Sequence, residues 1–163
     1  MFTTDSNLSL TPDPKVSFGT VEELVRYNLL CSGTILLTGE IDEFKSTDMC
    51  IMLNECIRLG NRKIALLLNS PGGGAYAALA IYDLMNNIRN SGIPIEVIVS
   101  GMAASAAAMV ILQGATIRKS YPNARFLLHE VRLWHTFDME RTSDAEDKLG
   151  EMNALQSLII NIL

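Results

Sequence analysis

The run Lys63–Asn69, KIALLLN, limits the architecture more than any other segment of this chain. Its interior is apolar without alternation, the pattern of a strand covered on both faces, as in a parallel sheet between helical layers. It leads through Ser70 and Pro71 into Gly72, Gly73 and Gly74, and then into a helical pattern that puts Ala78, Ile81, Leu84, Met85 and Ile88 on one side. One glycine suffices for a turn. Three in succession let the backbone come close to another group, with N–H donors free to point at it.

The remaining segments extend this alternation. TVEELVRYNLL (20–30) suits a short amphipathic helix and GTILLTGEI (33–41) a strand. A helix is predicted from about Ser46 to Leu59, where Met49, Leu53, Cys56 and Ile57 recur at helical spacing and Gly60 stands at C′. GIPIEVIVS (92–100) predicts a strand, followed by a small-residue turn and a helix up to Gly114; ARFLLHE (124–130) predicts the fourth strand. Strand, helix, strand, helix, strand, helix, strand is an α/β order with parallel strands and right-handed crossovers. Residues 1–18, polar with Pro12 and Pro14, are expected to form a flexible lead-in, leaving 19–163 as a single domain. At the far end SDAE (143–146) has the form of a capping box, with Ser143 as N-cap and Glu146 as its partner. Leu149, Met152, Leu155, Ile159 and Ile162 then follow at helical spacing up to the last residue. A helix still apolar where the sequence stops suggests a truncated chain or a face covered by another subunit.

Composition removes several classes of function. A net charge of −5 argues against nucleic acid, which needs a basic face. MFTTDSNLSLTPDPK lacks the basic and apolar regions of a signal peptide, and SGMAASAAAMVILQG (100–114) is too short and too rich in alanine and glycine to span a bilayer. No membrane partner and a cytoplasmic location are therefore expected. Cys31, Cys50 and Cys56 are odd in number and form no C-x-x-C, so they read as reduced core thiols.

Ser105 follows a strand and opens a helix, flanked by alanines. As a nucleophile it would have room for substrate and a helix N-terminus beside the attacked carbonyl; as a plain N-cap it would do what serine commonly does there. It does not sit in a G-x-S-x-G elbow, because Ala103 and Ala107 stand at the glycine positions. His129 closes an apolar strand and reads either as structural or as a base; with His135 it makes no metal-ligand spacing, so no metal site is expected. Glycine turn, serine and histidine all fall at C-terminal strand ends, where open α/β sheets bind ligands.

The segments ILLTGEI, LLLNSPGGGAYAALAIYDLM, GMAASAAAMVILQGA and YPNARFLLHE, in that order, resemble the Clp protease proteolytic subunit (ClpP) family of the crotonase-like superfamily. The resemblance implies a spiral of β-β-α and βαβ units around a parallel sheet, with the 143–163 helix as a protruding handle and the C-terminal part of the family fold missing. It implies a serine endopeptidase with Ser105 as nucleophile, His129 as general base and the N–H groups of Gly73 and Ala106 as oxyanion hole. It also implies that Gly72, Gly73 and Gly74 bind extended peptide by strand addition. No cofactor is implied. The implied partners are a polypeptide substrate, copies of the chain in stacked heptameric rings, and an AAA+ unfoldase.

The chain departs from the family pattern at several places. The family's triad aspartate falls beyond the last residue, and Asp138, Asp144 and Asp147 lie in the handle region instead. Ala106-Ala107 replaces a common Met-Gly, Glu130-Val131 replaces a common Gln-Pro, and RNSGI (89–93) adds length. The N-terminus does not resemble the axial loop that engages an unfoldase. Two other readings therefore stand: a catalytically inactive scaffold subunit of a ring, and an acyl-CoA enzyme of the crotonase type.

Overall fold

The computed structural model describes residues 19–131 and 142–163, the first six residues of the latter as helical backbone only. Its elements are α1 (Val21–Cys31), β1 (Thr34–Thr38), α2 (Glu43–Arg58), β2 (Ile64–Ser70), α3 (Ala75–Asn90), β3 (Ile95–Ala104), α4 (Ala106–Met109), a 3₁₀ turn (Ile111–Gly114), β4 (Ile117–Ser120), β5 (Arg125–Leu127) and α5 (Thr142–Ile162). All strand pairs are parallel, in the order β1-β2-β3-β4, and β5 joins β3 beyond the end of β4. The α/β class read from the alternation is the one observed.

The core lies where the apolar patterns place it. Ile64, Leu66 and Leu68 of β2 are fully buried, as are Met49, Leu53 and Cys56 of α2 and Ala78, Ile81 and Met85 of α3. Burial pushes the Cys56 thiol up to about 11, so it stays a protonated apolar side chain. Helix α2 ends as expected: the Gly60 N–H donates to Ile57 O (2.9 Å) and Asn61 N–H to Cys56 O (3.1 Å), a Schellman pair. Its start is three residues earlier than the apolar pattern indicates, with Asp42 as N-cap accepting from Lys45 N–H at 2.7 Å. Phe44, 87% exposed, interrupts the pattern there.

Other elements also depart from expectation. β3 runs on to Ala104 instead of stopping at residue 100, because it carries a bulge: Leu68 pairs with Val99, but Ser70 pairs with Ala103. The helix expected up to Gly114 is one four-residue turn of α-helix followed by the 3₁₀ turn. β4 was not expected at all; its four residues are exposed and give no apolar signal. Residues 1–18, His135 and Asp138 lie outside the described residues, as do the side chains of Ser143, Asp144, Glu146 and Asp147.

At the N-terminal edge of the sheet Glu96 of β3, with a side chain 5% exposed, forms ion pairs with Lys63, just ahead of β2, and Lys119 of β4. This clips three neighbouring strands together. Hydrogen bonds from Lys119 and then Lys63 hold the Glu96 carboxyl below its ordinary range, against the opposing effect of burial. A depressed folded pKa gives stability that is complete above the unfolded value, about 4.3. It is lost as the pH falls from there through the folded value. Glu96→Gln is therefore expected to lower Tm at neutral pH, at a cost of about 1–2 kcal/mol because both lysines remain half in water. Its Tm difference from the parent chain should shrink below about pH 4. A thermal melt series across pH checks both.

Candidate active site

The bulge in β3 aims the chain at the site. Asn69 of β2 fits its side chain into the bulge, where Oδ1 accepts from Met102 N–H at 3.0 Å, and Gly101 leaves room for it. Immediately past the last pair, Ser105 turns the chain from β3 into α4 with φ 53° and ψ −128°. It is the only non-glycine residue with positive φ among those described. Such a backbone costs on the order of 1–3 kcal/mol and persists only where the surroundings impose it. Here the Ser105 N–H donates to Leu127 O of β5 (2.8 Å), and Ala103 and Ala107 are fully buried on either side. The strained strand-to-helix turn of a nucleophile elbow is thus built with alanines at the flanking positions.

The capping role open to Ser105 is not taken: its side chain makes no cap hydrogen bond. α4 begins with Ala106 and Ala107, whose N–H groups precede any intrahelical acceptor, while those of Ala108 and Met109 fold back onto Ser105 O. The hydroxyl and two N–H donors at this corner have no partner among the described residues.

The glycine turn closes over this corner. A β-carbon on Gly72 (φ +93°) would lie 2.5 Å from Ala104 O, 2.7 Å from Ser105 Cβ and 3.0 Å from Ala106 N. One on Gly73 (φ +148°) would lie 2.7 Å from Ile41 N. Gly74 has an ordinary φ of −61° and open contacts of 3.5 Å or more. Two of the three glycines are thus required by close backbone approach, one towards the serine and one towards Ile41. Ile41 N–H donates to Gly72 O (2.8 Å) and Gly74 N–H to Ile41 O (2.7 Å). Donors alternate sides along extended backbone, so the Gly73 N–H faces away from Ile41 and has no partner among the described residues.

His129 arrives from β5. The pairing of Ala104 with Leu127 sets Ser105 level with Leu128, and His129 is the next residue. The strand is shorter than the 124–130 expected, so His129 sits past its end and not in the ladder. Its Nδ1 lies 2.5 Å from Glu130 O. A carbonyl can only accept, so Nδ1 carries the proton and Nε2 is left as the basic nitrogen. Ser105 and His129 line one cavity of about 590 Å³ with Gly72, Gly73, Gly74, Ala106, Glu40 and Glu130, without a direct hydrogen bond between the two. Such bonds commonly tighten only when substrate is bound.

Helix α5 forms one wall. Leu155 and Ile159 are buried and line the cavity, and Met152 and Ile162 are half-buried. Much of the apolar stripe that suggested either a truncated chain or a covering subunit is therefore covered by the chain's own body, while Leu149 remains 53% exposed. Tyr76 Oη donates to Glu151 Oε1 (2.6 Å), and Gln156 Oε1 accepts from Val131 N–H (2.7 Å). Sequence reasoning missed Ile41, Asn69 and Gln156. Ile41 alone carried a signal, as an apolar residue in phase with Ile35 and Leu37 two steps of the alternation further on. No His, Cys, Asp and Glu grouping among the described residues suits a metal, and no described helix is long and apolar enough to cross a membrane.

A parallel α/β sheet with a strained serine at one strand end and a histidine at the next defines the class of a serine hydrolase. Comparison with known proteins makes this specific. The Clp protease family model matches residues 19–163, and the chain belongs to that family. It is 34% identical over 146 residues to the ATP-dependent Clp protease proteolytic subunit 1 of Mycolicibacterium paratuberculosis, covering 88% of this chain and 67% of that protein. Against proteolytic subunit 2 of Mycobacterium bovis the identity is 34%, with 88% and 66% covered. Against subunit 1 of Thermobifida fusca it is 33%, with 88% and 64% covered. The chain thus spans about two thirds of the length of these relatives. Its family is one of serine-type peptidases.

Proposed function

We propose that the chain is a serine endopeptidase subunit that cleaves polypeptides through an acyl-enzyme on Ser105. The observation that carries this is the convergence on one cavity of a strained serine, a histidine whose Nδ1 rather than Nε2 is bonded to a carbonyl, and the N–H groups of Gly73 and Ala106, which have no partner among the described residues. Ser105 Oγ attacks the peptide carbonyl carbon and passes its proton to His129 Nε2. The carbonyl oxygen, now negative, lies between the Gly73 and Ala106 N–H groups. Collapse breaks the C–N bond, and the imidazolium returns the proton to the leaving amine. Water, deprotonated by the same nitrogen, then releases the acyl group.

Substrate lies extended along Gly72–Gly74, adding a strand to the edge that faces away from Ile41. Assembly into stacked heptameric rings through α5, service by an AAA+ unfoldase and a cytoplasmic setting complete the proposal. They rest on family membership and, for α5, on the apolar residues Leu149, Leu158 and Ile160 that it leaves exposed. The absence of a Ser105–His129 hydrogen bond favours the scaffold subunit as the second reading. Hydrolysis of a fluorogenic peptide separates the two. Ser105→Ala should lower turnover by about 10⁴-fold or more, whereas a scaffold shows no activity for the substitution to remove.

A further inference from the structure

We propose that Gln156, on α5, is a positioning residue for His129. The inference rests on His129 being the base. Glu130 O, which accepts from His129 Nδ1 (2.5 Å), and Val131 N–H, which donates to Gln156 Oε1 (2.7 Å), belong to the same peptide unit. That unit is planar, with its C=O and N–H pointing in opposite directions. Fixing the N–H therefore fixes the carbonyl, and the carbonyl fixes both the tautomer and the tilt of the imidazole. Donation by the N–H also polarises the carbonyl and makes it a better acceptor.

Gln156 is well placed to hold this plane. Leu155 and Ile159, 8% and 3% exposed, seat α5 on the body on either side of it, and Tyr76–Glu151 ties the helix one turn earlier to the start of α3. Tyr76 and Val131, at the far ends of the two ties, both line the cavity. Val131 stands where the family pattern often has proline, which has no N–H; this chain has a donor there and supplies its acceptor from 25 residues away.

The test uses the full chain with ¹⁵N-labelled histidine, and Gln156→Met, which keeps the length but not the acceptor, beside Gln156→Glu, which keeps an acceptor oxygen. The chain has two histidines, so a His135→Gln background assigns the signals. The parent chain is expected to show neutral His129 protonated at Nδ1, Gln156→Met to move towards the Nε2–H tautomer, and Gln156→Glu to restore the parent pattern. Labelling by a fluorophosphonate is read in parallel. The limiting rate should fall about 10- to 100-fold in Gln156→Met, with half-saturation unchanged, and recover in Gln156→Glu. An unchanged tautomer in Gln156→Met, or no recovery in Gln156→Glu, overturns the proposal. A parent chain with the expected tautomer and no labelling leaves Gln156 in its role and instead removes the peptidase reading.

Discussion

Substituting Gly72 with alanine is expected to lower peptide turnover about 10²- to 10³-fold, the cost of losing one oxyanion donor. It should also destabilise the chain by about 1–3 kcal/mol. Both effects have one origin. The new methyl group meets Ala104 O, Ser105 Cβ and Ala106 N on a backbone that already has φ +93°. No flexible side chain is available to yield, so the glycine turn and the serine turn must separate, taking the Gly73 and Ala106 donors apart. Gly74→Ala is the control: with φ −61° and ordinary contacts it should leave activity within about twofold and stability unchanged or slightly raised. Thermal melts and peptidase assays on the pair decide the matter. Equal tolerance at both positions contradicts the close approach.

Replacing His129 by alanine produces the opposite signature. The side chain is only half-buried and its hydrogen bond is to the adjacent residue, so stability should change by no more than about 0.5 kcal/mol. Turnover and fluorophosphonate labelling should both fall by about 10²- to 10⁴-fold, the contribution of a positioned general base. Gly72→Ala thus loses fold and chemistry together, and His129→Ala loses chemistry alone. A His129→Ala chain that is labelled as fast as the parent assigns the proton transfer to another group.

How much of this was legible in the sequence varies with how local its cause is. The buried run of β2, the glycine turn and the helical face of α3 each depend on neighbouring residues, and all were readable. The family's motifs then pointed to Ser105 and His129. β4 left no signal because it is an exposed edge strand, held by pairing with β3 and by Lys119–Glu96. The strain at Ser105 was hidden for a different reason. It arises from a bulge that Asn69 holds open from the adjacent strand, and from the Leu127 carbonyl 22 residues further on. Alanines at 103 and 107 even argued against an elbow, although buried small residues suffice to build one. The tautomer of His129 depends on a side chain of α5, whose periodicity announced only its apolar stripe. Polar residues between such positions read as solvent-facing until the tertiary structure shows where they point.

The central claim is that Ser105 is an activated nucleophile, and the most direct measurement is the intact mass of the full chain before and after fluorophosphonate treatment. Attack by Ser105 Oγ on phosphorus expels fluoride, while His129 takes the hydroxyl proton. The expected result is a single adduct, absent from Ser105→Ala under identical conditions. No adduct on a folded chain of the correct mass, or an adduct that survives in Ser105→Ala, contradicts the account.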